Sequence, residues 1–382
     1  MKRTQAPPKL NRETAKLVRF ALALHASGSQ IESQTWEQQL SVLIAALFIK
    51  KQNETLEQAL DYLWVENPSA CDVLAQLIEG HAESLTDDGA TNAVLIAIPL
   101  LAWSLYAISA GRLNKQRLRD LREVMQADLL ASGTRLALAD VLYSPDQLPR
   151  GFIETRALLQ QLAQSALGQQ DLYLDSAELV AAGEFVADVR YIFAVVVVDK
   201  GAPVFRWQQA EITQNEVLQT WQLNTKSIFA AMLPGCHFKS LLPNAFFSAW
   251  RKLEQEARVF SLRAAVNYLC AMLIIKPAEL RAVIAPFYDQ TLEEYRIGFH
   301  LLRSRQILHG VVWPLIGEET DETDIVAQIE QELTDLDKVM VLTTAMPMEY
   351  CDDCDTPLFP NTEGEMVHPE MPDSEEIAPQ LH

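Results

Sequence analysis

"ATNAVLIAIPLLAWSLYAISA", Ala90 to Ala110, is twenty-one residues without a charge, and the way it folds decides the architecture of everything around it. As a helix the run is long enough to cross a bilayer. Against that reading, Asn92, Pro99, Ser104 and Ser109 dilute it, and the chain holds no second span of this kind. An isolated apolar run within an amphipathic helical region is more simply that region's central helix, so a buried core helix is expected and no membrane attachment.

The flanking residues 1–145 read as an all-α domain of packed hairpins. Asn11 to Ala26 is amphipathic and closes at Gly28. Ser33 to Lys51 follows, with Trp36, Leu40, Leu43, Ile44 and Phe48 along one face. A Thr-x-x-Gln capping box, Thr55 to Gln58, opens a third helix that Asn67-Pro68 stops. Ser69 to Leu85 is a fourth, and "TDDG" breaks the chain ahead of the apolar run. Lys115 to Ser132 is the last, ending at Gly133.

Beyond "YSPDQLPRG", Tyr143 to Gly151, β-branched runs appear. They are "YIFAVVVVD" (Tyr191–Asp199), "PVFRW" (Pro203–Trp207), "LRAVIAPFY" (Leu280–Tyr288), "ILHGVVWPLI" (Ile307–Ile316) and "VMVLTTAM" (Val339–Met346). These read as strands, with "DKGA" as a hairpin turn between the first two. Helical patterns at Asn215–Met232, Phe247–Met272 and Asp324–Leu336 separate them. Residues 146–347 are therefore an α+β region with a mixed sheet, and the fold class is α+β. Residues 191–243 and 295–347 each read hairpin, helix, strand over fifty-three residues, the first closing on "HFKSLLP". Identities are few, which leaves both duplication and coincidence open. Residues 348–382 form a proline-rich acidic tail, expected to be largely irregular and disordered over its last ten or so residues.

At 382 residues the chain exceeds what one core usually organises, so two or three domains are expected. The formal charge of -20 repels phosphate backbones and disfavours nucleic acid as a ligand. From Val339 onward there is no Lys or Arg, while ten carboxylates put half of the net charge in the tail. The first twenty residues are basic instead, but Arg19 interrupts the apolar stretch there and no export signal is read. Cys71, Cys236 and Cys270 lie in apolar surroundings that suit free thiols. The odd total of five cysteines implies no disulfide framework, which fits a cytoplasmic protein.

Glycine-rich phosphate loops, the dinucleotide fingerprint, Gly-x-Ser-x-Gly and His-Glu-x-x-His are all absent. The strongest chemical signal is Cys351-x-x-Cys354, whose two thiolates on a tight turn can occupy adjacent corners of a zinc tetrahedron. His368 is the candidate third ligand, and the fourth must come from Cys236, His237, His309 or a partner chain. Asp355 stands where zinc knuckles often carry Gly. A redox dithiol is disfavoured, because Glu349, Asp352, Asp353 and Asp355 should raise the thiol pKa values. Structural metal and unliganded thiols both stay open.

Three further groups carry charge or titratable chemistry. Arg112, Lys115, Arg119 and Arg122 recur at helical spacing and could hold an anionic ligand or the acidic tail, or simply be a solvated face. His300 and His309, with Arg303 and Arg305, would come close if their strands pair. Cys236 and His237 are adjacent, but neighbours in a strand point to opposite faces.

"HASGSQIESQTWE" (His25–Glu37), "AESLTDDGATNAVLIAIPLLAWSLYAI" (Ala82–Ile108) and "EYCDDCDTPLFPNTEGEMVHPEMP" (Glu349–Pro372) together resemble an uncharacterised bacterial domain-of-unknown-function family, family 2863. The resemblance covers nearly the whole chain. It implies a soluble cytosolic protein and brings no activity or catalytic residue with it. The expected function is a non-enzymatic binding or regulatory protein with a structural zinc knuckle in its tail, acting on a protein or a small anionic ligand. The alternative is an enzyme with a site in the α+β region, using His300, His309, Arg303 or Arg305. Oligomeric state is not legible.

Overall fold

Side-chain oxygens set the starts of the N-terminal helices. In the computed structural model, which describes residues 10–87, 90–168, 170–173, 186–209, 211–302, 304–317, 319–320 and 322–371, Asn11 accepts the Thr14 N–H at 2.8 Å and begins α1 (Arg12–His25). Ser29 does the same for Glu32 at 3.2 Å and begins α2 (Gln30–Ile49). α3 (Asn53–Glu66) starts earlier than expected, so Thr55 is buried inside the helix rather than capping it. Asn67 caps α4 (Pro68–Glu83), whose proline occupies the first turn, where a missing N–H costs nothing. Leu17, Leu40, Ile44, Leu63, Leu74 and Ile78 are fully buried between these helices.

The all-helical stretch stops at Glu83. β1 (Ser84–Asp87) and β2 (Thr91–Trp103) follow, so the core helix expected over Ala90–Ala110 is instead the central strand of a sheet. The remaining elements of this part are β3 (Gly111–Arg112), α5 (Lys115–Val124, continued by a π turn over Met125–Leu129), β4 (Arg135–Leu138) and β5 (Val141–Leu142). They are followed by α6 (Gly151–Leu167), β6 (Ala187–Asp199), α7 (Gln214–Met232), β7 (His237–Ser240) and β8 (Asn244–Ala245).

β2 runs antiparallel to β6 along its whole length, from Thr91 opposite Asp199 to Trp103 opposite Ala187. Its other edge is shared by β1, β8 and β7, and β4 extends the sheet beyond β6. Ile96, Ile98 and Leu100 face α5 and α7, while Leu95, Ala97 and Leu101 face α6 and the next long helix. A strand covered on both faces needs apolar residues at every position, which erases the alternation that would distinguish it from a buried helix. Pro99, a poor residue for a central strand, falls in the gap between β7 and β8, where its missing N–H breaks no ladder.

α8 (Phe246–Leu273) is the shared spine of the molecule. Phe246, Ala249 and Leu253 pack on the first sheet, and Leu262, Leu269 and Leu273 pack on a second. That second sheet contains β9 (Leu280–Tyr288), β10 (Leu292–Leu301) and β11 (His309–Pro314). Beyond α9 (Ile325–Glu332), it is completed by β12 (Lys338–Val341) and β13 (Met346–Pro347), both parallel to β9. The molecule is α+β, with helices first and mixed sheets after. No helix among the described residues is long and apolar enough to cross a membrane.

The two fifty-three-residue segments do not share a topology. In 295–347 the hairpin is real, β10 with β11, and β12 closes the unit parallel to β9. In 191–243 the expected strand at Pro203–Trp207 is reduced to one bridge, Phe205 to Leu130, followed by a short turn of helix at Arg206–Gln208. The closing strand β7 pairs antiparallel with β2. The sheets are separate rather than continuous.

The tail also departs from expectation. Tyr350 bridges Pro357 around the Cys-x-x-Cys turn, and β14 (Phe359–Pro360) pairs with β15 (Met366–Val367). Residues 348–371 thus fold back as a small ribbon on the second sheet; the last ten or so residues, expected to be disordered, lie outside the described residues.

Candidate metal centre

Period-two alternation divides β10 between two jobs. Tyr295, Ile297 and Phe299 enter the core beneath α8. Arg296, Gly298 and His300 therefore face the other way, toward the ribbon. Gly298 is the register partner of Gly310 on β11. A Cβ on Gly298 would stand 2.7 Å from the Pro360 carbonyl oxygen, and one on Gly310 would run into the Phe359 ring. Bare backbone at both positions lets β14 lie directly on the sheet. Phe287, Ala285 and Met346 are buried beside it, with Met348 and Met366 packed against them.

Arg296, fully buried, clamps the ribbon at its base. Its Nη1 donates to the carbonyls of Glu349 (2.6 Å) and Leu358 (2.9 Å), one on each side of the Cys-x-x-Cys turn. Nε donates to Glu294 at 2.6 Å, which compensates the buried charge. The guanidinium also lies 4.3 Å from the Phe287 ring centroid and 5.0 Å from that of Tyr350. One side chain thereby fixes both legs of the loop that carries the thiols.

Within the loop, Asp355 N–H donates to the Cys351 carbonyl at 2.9 Å and Cys351 N–H to the Thr356 carbonyl at 2.8 Å. Asp355 takes the left-handed conformation (φ 55°). Glycine is the usual residue there, and Asp is among those that tolerate it best, so its presence is no obstacle to the knuckle. On the other arm, Asn361 Oδ1 accepts the N–H groups of Glu363 and Glu365, both at 2.9 Å, turning the chain so that His368 returns to the thiols. Glu370 N–H then donates to the Ile307 carbonyl at 2.8 Å and secures the end of the ribbon.

The result is a cluster of Cys351, Cys354 and His368 whose ligand atoms all lie within 4.8 Å of one another. His368 Nε2 is 3.3 Å from Cys354 Sγ, which is also 3.2 Å from the Thr356 hydroxyl oxygen. Two sulfurs and an imidazole nitrogen at these separations can hold a metal ion. The Cys354 thiol is pulled down to about 7, chiefly by hydrogen bonds from the Thr356 side chain and backbone, with His368 and Cys351 contributing less. The neighbouring carboxylates Glu349, Asp352, Asp353 and Asp355, expected to raise it, are all exposed, and water screens their field.

The expected fourth ligands are elsewhere. Cys236 lies just before β7 and His237 begins that strand of the first sheet, stacked 4.8 Å from Trp103. His309 lies opposite Phe299 and meets Tyr268 of α8 at 5.8 Å, on the buried face. β10 and β11 do pair, but His300 is one residue beyond Phe299 and so faces away from His309. Arg303 lies outside the described residues. The basic helix face does not converge either: Arg112 is paired with Asp140, Arg122 with Asp171, and Lys115 sits over Tyr173. Arg296, Gly298 and Gly310 were not anticipated. Their signal was two glycines at strand interiors in a chain with only 14.

Fold and site together define a class: an α+β protein whose second sheet carries a docked C-terminal ribbon with a two-cysteine, one-histidine metal-ligand cluster. The chain belongs to the family described as "Protein of unknown function (DUF2863)", which matches residues 2–382. Comparison with curated proteins and with solved structures gives no match.

Proposed function

We propose that this is a cytoplasmic binding or regulatory protein whose C-terminal ribbon is a zinc-stabilised element presented from the second sheet. The observation that carries the reading is the convergence of Cys351, Cys354 and His368 on a loop clamped by Arg296. Thiolate and imidazole donors together favour zinc over oxygen-seeking cations. Zn–S of about 2.3 Å and Zn–N of about 2.0–2.1 Å put tetrahedral ligand atoms about 3.5–3.8 Å apart; Cys354 Sγ and His368 Nε2 are 3.3 Å apart, and all three ligand atoms lie within 4.8 Å of one another. Three protein ligands leave one corner of the tetrahedron for water or for a side chain of a bound partner. Cys354 is exposed, so the cluster is open to solvent on that side. Free cysteines throughout suit a reducing compartment.

Metal analysis of purified protein tests this. Wild type should carry one equivalent of zinc and the Cys351→Ser/Cys354→Ser double variant none; zinc-free wild type, or equal zinc in both, contradicts it. The enzyme alternative draws on a different observation, a cavity beside His300 where three cations converge. His300 Nδ1 faces the carbonyls of Leu301 (3.0 Å) and Ser304 (3.1 Å), so it carries the hydrogen and leaves Nε2 as the basic nitrogen.

A further inference from the structure

Lys338, Arg281 and His300 stand in one row across three strands. Lys338 is opposite Arg281 between β12 and β9, and Arg281 is opposite His300 between β9 and β10. Register partners share a face of the sheet. The row borders a cavity of about 330 Å³ that is also lined by Ser304 and Arg305, from the loop after β10, and by Thr362 of the ribbon. Among the described residues, three cations and no carboxylate line it, in a chain with 51 acidic residues to 31 basic ones. That local reversal of charge is not what composition would place there.

Like charges directly opposite one another on a sheet are destabilising, so Arg281 beside Lys338 calls for a counter-ion. Asp337 supplies part of it, 3.0 Å from Arg281 Nε, and Glu363 pairs with Arg305. Both pairs are solvent-exposed, the kind that exchanges partners at little cost. Lys338 is exposed and joins neither. Ser304 Oγ accepts the Gln306 N–H at 3.1 Å, which leaves its own O–H to donate. His300 is nine-tenths buried or more, at 2% exposure, and with its hydrogen on Nδ1 it presents an acceptor to a ligand hydroxyl or a protonated oxyanion.

We propose that this cavity binds a small phosphorylated molecule, with its phosphoryl oxygens held by Lys338, Arg281 and Arg305 and by the hydroxyls of Ser304 and Thr362. A dianionic tetrahedral group matches three converging cations better than a single carboxylate does. The volume is at the small end of ligand sites, suited to a phosphate with a short organic remainder. The inference stands apart from the metal reading, since none of these groups is a ligand of the cluster.

Calorimetric titration of the full-length protein with pyrophosphate tests it. Saturable one-to-one binding that weakens with added salt is expected. Lys338→Gln and Arg305→Gln, both at exposed positions, should each weaken it about tenfold, the loss of one charge-assisted contact. Arg263→Gln, which removes an exposed cation on α8 paired with Glu332, should leave binding unchanged. Absence of saturable binding, wild-type affinity in Lys338→Gln, or an equal loss in Arg263→Gln would overturn the assignment.

Discussion

Gly298 and Gly310 face each other across the β10–β11 ladder, and together they leave bare the patch of sheet on which Pro360 and Phe359 rest. A methyl group at either position meets backbone or a rigid ring with no space to yield. Gly310→Ala should therefore loosen the ribbon, with a loss of about 1–3 kcal/mol in a denaturant midpoint and faster protease cutting between residues 348 and 371. Unchanged stability and unchanged cutting would show that the ribbon is not seated there.

Arg296 acts through the loop it holds rather than on a metal directly. Arg296→Met keeps the aliphatic bulk but strands Glu294 and the carbonyls of Glu349 and Leu358. Removing one partner of a buried ion pair costs about 3–5 kcal/mol. Metal affinity, read by competition with a chelator, should fall by about 10–100-fold, the usual effect of losing a residue that orients ligands. A variant that folds with wild-type metal affinity would separate the clamp from the cluster.

Glu83, at the end of α4, accepts the Phe247 N–H at 2.8 Å at the start of α8. Burial pushes its carboxyl up to about 7. Because the folded value lies above the unfolded one near 4.5, the folded state holds its proton longer, and stability falls as pH rises through that window. The loss reaches ~3 kcal/mol. Glu83→Gln keeps an acceptor for Phe247 and removes the titration. Its advantage over wild type in urea midpoint should be larger at pH 8 than at pH 5, and an equal gap at both would refute the assignment.

Several elements were legible in the sequence because their patterns were unambiguous. Leu280–Tyr288 matches β9 residue for residue, and α7 and α8 lie within a residue or so of their expected bounds. Ala90–Ala110 misled because burial on both faces removed the polar positions that mark a strand, and nothing local says that β6 will cover it. β1 and β2, strands where helix was expected, move the end of the all-helical stretch back from residue 145 to Glu83. Cys351, Cys354 and His368 were readable from spacing, since a tight turn and a short return arm need only local chain. The clamp was not. Arg296 and the two glycines act across about fifty residues of sequence or more, and only the strand register shows that they share a face.

Titration of metal-free, full-length protein with cobalt(II) tests the central claim most directly, because the absorption spectrum reports both ligand type and geometry. The account predicts one equivalent bound in a tetrahedral field with thiolate charge-transfer bands, lost in Cys351→Ser/Cys354→Ser and altered in His368→Ala. Cobalt that stays octahedral without thiolate bands, or a spectrum identical in the double variant, would contradict it.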